Sequence, residues 1–363
     1  MIITSVRAIV VQARQRAAAG SVAQSGAGVE QSANGALCHP KGPRHPPFSP
    51  RRRPVMLPAP AAPQAGRRRG GGPMRTLTLL PCLDDAARAE ACKRELGLDR
   101  EFLAQLGRSA VTAVAEGGYG GPDGAWVDWR PQVEAAVSSK VSLPPDAALR
   151  KAAPVTFTTT RVQVCNESTM SVARRLHAQF PRVLALNFAN GVHPGGGFLH
   201  GARAQEEALC RSSALYATLE GDPMYAAHRA RPRHDASAWA IYSPDVPFFR
   251  TDDGTPLTEP WPLTVLTCAA PVVPETPMAE AADLLAERIR RVLAIAHANG
   301  HTALVLGAWG CGAFRNDPVR TARDFRAALE GEFSGAFAQV VFAIADWSED
   351  RRYLGPFRAA FSP

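Results

Sequence analysis

The segment from residue 194 to 207, PGGGFLHGARAQEE, combines three consecutive glycines, which have no side chain, with two carboxylates. Glycines at 195–197 let the main chain approach a ligand and aim N–H groups at an anion such as a phosphate. A carboxylate beside a phosphate is repelled unless it is protonated. Desolvation, the neighbouring carboxylate and the phosphates would each raise the pKa of one glutamate towards that of a general acid. This arrangement suits glycosidic chemistry, in which an acid protonates the leaving oxygen of a sugar.

The two glutamates, Glu206 and Glu207, are adjacent at the start of a predicted helix, so their side chains point roughly 100° apart. The two carboxylates therefore cannot act from opposite sides of one bond. We expect one to exchange the proton and the other to fix the substrate. The alternative is that both only complement the helix dipole in the first turn, as glutamates commonly do.

A second glycine-rich loop, GAWGCGAF at 307–314, follows a predicted strand at 303–307, just as ANGVHPGGG follows the strand at 183–188. In an open α/β sheet, ligands bind outside the carboxyl ends of the strands, so both loops are predicted to face one crevice. The chain lacks GxxxxGK[ST], and Arg315 stands where GxGxxG requires glycine. The loops are therefore predicted to hold phosphates rather than to transfer them. Tight turns without a ligand are the alternative.

The elements around these loops alternate along the chain. Strands are predicted at 155–164, 183–188, 239–244, 263–270, 303–308 and 339–346, and helices at 171–180, 205–219, 279–300 and 317–333. This alternation predicts an α/β fold with a mostly parallel sheet and helices on both faces. Asn299-Gly300 is a predicted helix C-cap.

Three segments are predicted. Residues 1–73 form an Arg/Pro/Gly/Ala-rich leader that we expect to be disordered, 74–150 a helical N-terminal extension, and 151–363 the catalytic domain. The leader has three possible origins: sequence upstream of a true start at Met74, an organelle-targeting peptide, or an uncharacterised tail.

Charge and cysteine usage narrow the class of protein. The leader carries eleven Lys and Arg against one acid, Glu30, which leaves 30 basic and 32 acidic residues in the rest of the chain. The overall charge of +8 therefore belongs to the leader, and we expect no direct nucleic-acid binding. The seven cysteines never show CxxC spacing, so neither a zinc site nor a disulfide framework is expected. No apolar run is long enough to span a membrane, and we expect an intracellular monomer, cytoplasmic or nuclear.

The segment 187–216, NFANGVHPGGGFLHGARAQEEALCRSSALY, resembles the signature of the microbial-type poly(ADP-ribose) glycohydrolases, a catalytic branch of the macrodomain fold. The motif GGG, seven residues, then QEE is highly specific and is complete here. The blocks YSPDVPFFR (242–250), LVLGAWGCGAFRNDP (304–318) and VVFAIAD (340–346) are also similar to the family, and the similarity covers roughly residues 90–360.

The resemblance implies a three-layer α/β/α macrodomain with a mixed, mostly parallel sheet. It also implies hydrolysis of the ribose–ribose O-glycosidic bond of poly(ADP-ribose) without a metal or cofactor, with release of ADP-ribose. Exo-hydrolysis is expected, with poly(ADP-ribose) and ADP-ribosylated proteins as partners and the reversal of ADP-ribosylation in the DNA damage response as context. Two alternatives stay open: a non-catalytic reader that binds ADP-ribose, and a hydrolase of single ADP-ribose units on proteins.

The resemblance also assigns roles by position. Glu207 would be the general acid, and Glu206 and Gln205 would hold the terminal ribose and orient that carboxyl group. Asn190 would hydrogen-bond the same ribose, and Phe314 would place it. The remaining expected contacts are backbone contacts to the diphosphate and the scissile sugar from Gly195, Gly196, Gly197, Gly310, Cys311, Gly312 and Ala313.

Overall fold

A computed structural model describes residues 75–362 except 153, 155, 156 and 234. The leader, with its predicted disorder and its possible targeting helix, lies outside the described residues. The ten strands of the described part are β1 Thr76–Leu79, β2 Gly118–Gly120, β3 Trp126–Asp128, β4 Val141–Leu143, β5 Thr159–Cys165, β6 Val183–Phe188, β7 Ala240–Arg250, β8 Pro256–Cys268, β9 Ala303–Leu306 and β10 Gln339–Ala343. Its α-helices are α1 Ala86–Leu96, α2 Arg100–Glu116, α3 Arg130–Ser139, α4 Thr169–His177, α5 Gln205–Ser212, α6 Leu215–Leu219, α7 Pro223–Arg229, α8 Met278–Ala298, α9 Pro318–Glu330 and α10 Leu354–Ala360.

Eight of the strands form one mixed sheet in the order β1-β5-β10-β9-β6-β8-β7-β4. The first six in this order run parallel to one another, whereas β7 is antiparallel to both of its neighbours. The central strands are buried along their whole length or nearly so, because both faces of a parallel sheet are covered by helices. The predicted α/β fold is thus confirmed.

Two apolar clusters occupy the two faces of this sheet. Alternate residues of one strand separate between them: Ala185 belongs to the first cluster, and Leu184 and Leu186 to the second. The second cluster also contains the inner face of α8, whose C-cap is Asn299 and whose next residue, Gly300, has φ +72°. The predicted end of this helix is therefore confirmed.

The segment 74–150 contributes more than helices. Its strands β1 and β4 form the two outer edges of the main sheet, and β2 and β3 form a separate hairpin. These strands have three or four residues each, so the helical periodicity of the segment conceals them. The segment is therefore not helical throughout, and it shares a sheet with the residues that follow it.

The predicted helix at 205–219 is in fact two helices, α5 and α6. The chain leaves helical geometry at Ser213, where φ is −151°, and Ser213 pairs there with Phe248 of β7. The break confines α5 to eight residues and turns the following chain along the sheet. In the described part of the chain, no helix is both long and apolar enough to cross a bilayer.

Candidate active site

A cleft of about 380 Å³ opens at the carboxyl ends of the parallel strands. The loops that follow β6 and β9 both reach it, because these strands are neighbours in the sheet. The turn after β5 forms a third wall. The volume lies within the range of sites for small molecules. The expectation that both glycine-rich loops open onto one crevice is therefore met.

Glu206 is held by fixed donors on both carboxylate oxygens. Its Oε2 accepts a hydrogen bond from the backbone N–H of Asn190 at 2.7 Å, and its Oε1 accepts one from Nδ2 of Asn187 at 3.3 Å. The side chain lines the cleft but is only 2% exposed. Burial is the main cause that raises the pKa of Glu206 to about 8, and the adjacent Glu207 adds to it. The sequence predicts a raised pKa for the glutamate that acts as general acid, and the resemblance gives that role to Glu207. The structure places the raised pKa on Glu206 instead.

Glu207 is anchored by one hydrogen bond to the glycine loop. The backbone N–H of Gly197 donates to its Oε1 at 2.9 Å, whereas its Oε2 has no hydrogen-bond partner among the described residues. The side chain is 8% exposed and lines the cleft. Of the two carboxylates, Glu207 is therefore the one with an oxygen that no protein donor occupies.

Gly196 leaves room for these carboxylates. A Cβ atom at this position would lie 2.3 Å from Oε1 of Glu207 and 3.1 Å from Oε2 of Glu206. Its φ of +56° also favours glycine. A glycine at 196 is thus needed to leave room for the two glutamates. The sequence instead predicts that the glycines let the main chain approach the substrate.

Gln205 and Asn190 fix the two ends of the segment between β6 and α5. The Gln205 amide accepts from the N–H of Phe188 at 2.9 Å and donates to the carbonyl of Leu186 at 2.7 Å, which ties the start of α5 to β6. Oδ1 of Asn190 accepts from the N–H groups of Val192 and His193, both at 2.9 Å. Both side chains line the cleft, and Nδ2 of Asn190 makes no hydrogen bond with a described residue.

The loop after β9 presents free backbone donors. The N–H groups of Gly310, Gly312, Ala313 and Phe314 have no hydrogen-bond partner among the described residues. All four residues line the cleft, and a Cβ at Gly312 would meet no atom within 4 Å. Free backbone N–H groups on residues that line a cleft can bind an anion.

Side chains of the same region brace this loop. Nδ2 of Asn316 donates to the carbonyls of Gly310 and Pro271, at 3.1 and 2.8 Å. Cys311 faces away from the cleft: its sulfur contacts Thr321 at 3.7 Å, and burial raises the pKa of its thiol to about 12. The structure therefore brings together all the predicted residues of this loop except Cys311. It also leaves Gly195, Gly196 and Gly197 outside the cleft lining, behind the glutamates.

Several lining residues were not found from the sequence. Ser168 and Thr169 follow β5, Asp252 follows β7, and the exposed Arg203 and Trp347 also line the cleft. Ser168 follows the strand predicted at 155–164, and this position is a usable signal for a site residue. Asp252 and Trp347 lie in no motif that marks a site.

Comparison with known proteins agrees with this geometry. The family model described as "Microbial-type PARG, catalytic domain" matches residues 107–251. A comparison with curated proteins gave no match.

Solved structures extend the likeness over the described domain. The chain is 39% identical to the poly(ADP-ribose) glycohydrolase of Thermomonospora curvata, with a TM-score of 0.68, and the match covers 72% of this chain and 100% of that one. The complex of that enzyme with the inhibitor ADP-HPD gives the same identity and coverage and a TM-score of 0.67. The Deinococcus radiodurans enzyme in complex with ADP-ribose is 41% identical, with a TM-score of 0.60, over 64% of this chain and 98% of that one.

The fold and the site define a catalytic macrodomain. The chain belongs to the microbial-type poly(ADP-ribose) glycohydrolase family.

The buried Glu206 gives a stability prediction. Its pKa is about 8 in the folded protein and about 4.3 in the unfolded chain, so the folded state binds the proton more tightly. The favourable contribution of Glu206 to the free energy of unfolding is therefore complete below about pH 4, and it is lost as the pH rises through 8. We expect Glu206→Gln, which cannot ionise, to gain roughly 1–3 kcal/mol relative to the wild type between pH 5 and pH 9. Urea unfolding at several pH values measures this.

The exposed Glu332 supplies the control. Glu332→Gln should show no comparable gain. A stability difference between Glu206→Gln and the wild type that is the same at pH 5 and pH 9 would contradict the buried ionisation.

Proposed function

We propose that the protein hydrolyses the ribose–ribose O-glycosidic bond of poly(ADP-ribose) from a chain end and releases ADP-ribose. This proposal rests on the different hydrogen-bonding environments of the two adjacent glutamates. Glu206 has both oxygens occupied by protein donors, and Glu207 keeps one unoccupied, next to a loop of free backbone N–H groups. The family and the ADP-HPD and ADP-ribose complexes of its structural relatives support the substrate.

In the first step, Glu207 donates a proton to the departing 2′-oxygen as the bond from that oxygen to the anomeric carbon breaks. The sugar passes through an oxocarbenium-like state. Glu207 is then a carboxylate, and it removes a proton from the water whose oxygen bonds to the anomeric carbon. Each turnover thus returns the proton to Glu207, with no net change on the enzyme.

Positioning of the substrate follows from the two loops. Backbone N–H groups of Gly312 and Ala313 would bind the diphosphate, and the free Nδ2 of Asn190 would bind the ribose. Because neutral backbone dipoles hold the phosphates, the site needs no cationic side chain that would compete for the glutamates. A substrate anchored by its diphosphate presents the anomeric carbon to Glu207 in a fixed geometry.

The direct test is Glu207→Gln. We expect turnover of purified poly(ADP-ribose) to fall at least about 100-fold, because acid and base steps are both lost. The dissociation constant for ADP-ribose should stay within about threefold, since the cleft keeps its shape. Release of free ADP-ribose measures the first quantity and calorimetric titration the second.

The outcomes of this test separate three functions. A wild-type protein that binds ADP-ribose and releases nothing is a reader. Release from mono-modified protein but not from polymer identifies a hydrolase of single ADP-ribose units. Glu332→Gln, at an exposed site, should match the wild type.

A second prediction concerns the glycine loop. Gly196→Ala places a methyl group 2.3 Å from Oε1 of Glu207, so the carboxylate must move. We expect a loss of turnover of about 100-fold. Gly124→Ala is the matched control, because its φ of +79° carries similar backbone strain in open space. Equal effects of the two alanines on turnover would show that strain alone is responsible.

A further inference from the structure

His228 is a buried histidine with a hydrogen bond on each ring nitrogen. It lies in the last turn of α7 and is only 1% exposed. Its Nδ1 lies 2.9 Å from the carbonyl oxygen of Gly191, and its Nε2 lies 2.7 Å from the hydroxyl oxygen of Ser237. Gly191 is the residue after Asn190, which lines the cleft. His228 therefore contacts the site from behind, through its backbone.

The two partners determine which ring nitrogen carries the proton. A carbonyl oxygen can only accept a hydrogen bond, so Nδ1 of His228 must donate to Gly191. Nε2 of the neutral ring then accepts from the hydroxyl of Ser237. Burial lowers the pKa of His228, and the nearby Arg288 and Arg231 add to this, so the ring is neutral at pH 7. One tautomer thus satisfies both partners.

A chain of hydrogen bonds connects the ring of His228 to the side-chain amide of Asn190. The carbonyl of Gly191 and the N–H of Val192 belong to the same peptide group. That N–H donates to Oδ1 of Asn190 at 2.9 Å, and the N–H of His193 donates to the same oxygen at 2.9 Å. Because a peptide group is planar, holding its carbonyl also fixes the direction of its N–H.

These two backbone donors decide which end of the Asn190 amide is left for a ligand. The oxygen and the nitrogen of an amide have similar sizes, so only the hydrogen bonds around it set its orientation. Oδ1 is held by the N–H groups of Val192 and His193, and Nδ2 is therefore the end that remains. The cleft receives a donor at this point, which can bind an oxygen of a ribose.

The surroundings of the peptide group between Gly191 and Val192 leave it little room to rotate. A Cβ atom at Gly191 would lie 3.0 Å from Cβ of Ala236 and 3.4 Å from Nδ1 of His228. Arg229, the residue after His228, donates from Nη1 to the carbonyl of Val192 at 2.7 Å. The end of α7 thus holds two consecutive carbonyls of the loop.

The segment that carries Ser237 is itself fixed by a buried cation. Arg288 of α8 is 2% exposed, and it donates to the carbonyls of Asp235 and Ala269 at 2.8 and 2.9 Å. The carboxylate of Asp235 accepts two further hydrogen bonds from Arg231, at 2.7 and 2.9 Å. The ring of His228 is therefore held between the loop after β6 and a second fixed segment.

We propose that His228 is a positioning residue, which fixes the peptide group between Gly191 and Val192 and thereby turns Nδ2 of Asn190 towards the terminal ribose of the substrate. The inference rests on the proposed function for the identity of that ligand. A histidine that only satisfied a buried carbonyl would stabilise the fold without favouring one part of a ligand over another. His228 should instead affect the binding of the ribose end alone.

Binding of ADP-ribose and of ADP, which lacks the terminal ribose, separates these two roles. The amide of His228→Gln lies beyond the Nδ1 position, so Gly191 loses its donor. We expect the Kd for ADP-ribose to rise about three- to tenfold and the Kd for ADP to change by less than about twofold. His228→Asn can place its side-chain N–H where Nδ1 lies, and it should bring the Kd for ADP-ribose back to within about twofold of the wild type. Calorimetric titration measures all of these values.

A double-mutant cycle tests whether the effect passes through Asn190. In the Asn190→Ala background, His228→Gln should cause no further loss of ADP-ribose affinity, because the amide that His228 orients is gone. His297→Gln makes the same change on α8, outside the cleft lining, and should bind both ligands as the wild type does.

Three results from the variants overturn the inference. The first is a folded His228→Gln protein with the wild-type affinity for ADP-ribose. The second is an equal loss of affinity for ADP-ribose and for ADP in that variant. The third is full additivity of His228→Gln and Asn190→Ala.

A measurement on the wild type does not depend on the folding of any variant. The ¹⁵N chemical shifts of the His228 ring at pH 7 report which nitrogen carries the proton. We expect Nδ1 to carry it, and a ring whose Nδ1 carries no proton overturns the inference. A wild type that binds ADP-ribose but releases none from poly(ADP-ribose) overturns the proposed function instead, and the comparison of ADP-ribose with ADP still tests His228.

Discussion

Two neighbouring carboxylates buried at the start of one helix are the constraint on which this site depends. Such a pair is unfavourable unless each carboxylate receives hydrogen bonds. The donors here include the backbone N–H groups of Asn190 and Gly197, which no substitution except one by proline removes. The long loop between β6 and α5 folds back on the helix for this reason. Its glycines are the residues that let it come close enough.

The sheet supplies the other half of the site. Because β6 and β9 are paired directly, the glutamates and the free N–H groups of the second loop meet across one cleft. The side-chain amide of Asn316 then fixes that loop, because it donates hydrogen bonds to the carbonyls of Pro271 and Gly310. Rigid strands thus place two loops whose functional groups are mostly backbone atoms. Preorganised dipoles of this kind are effective because they need no rearrangement during the reaction.

The sequence predicts the parts of this arrangement that depend on local pattern. The buried run at 183–188 and the strand at 303 precede their glycine loops, so the common edge follows from the rule for parallel sheets. The short edge strands β1 and β4 leave no such pattern, because three or four residues in a largely helical segment show no clear period.

Side-chain environments were harder to predict than elements. The glycine run was expected to touch substrate, but its tight contact with Glu207 depends on how the loop folds back. The division between Glu206 and Glu207 likewise depends on which donors lie nearby. Asp252 comes from the turn after β7, 45 residues beyond Glu207, and only the fold brings the two to the same cleft.

The central claim is that Glu207 reaches the anomeric carbon while the second loop holds the diphosphate. A crystal structure of the protein with ADP-ribose tests it most directly. We expect the anomeric hydroxyl to lie about 2.6–3.2 Å from a carboxylate oxygen of Glu207, with phosphate oxygens about 3 Å from the N–H groups of Gly312 and Ala313. A bound ADP-ribose whose anomeric hydroxyl faces away from Glu207, or whose phosphates contact neither residue of the loop, would contradict it.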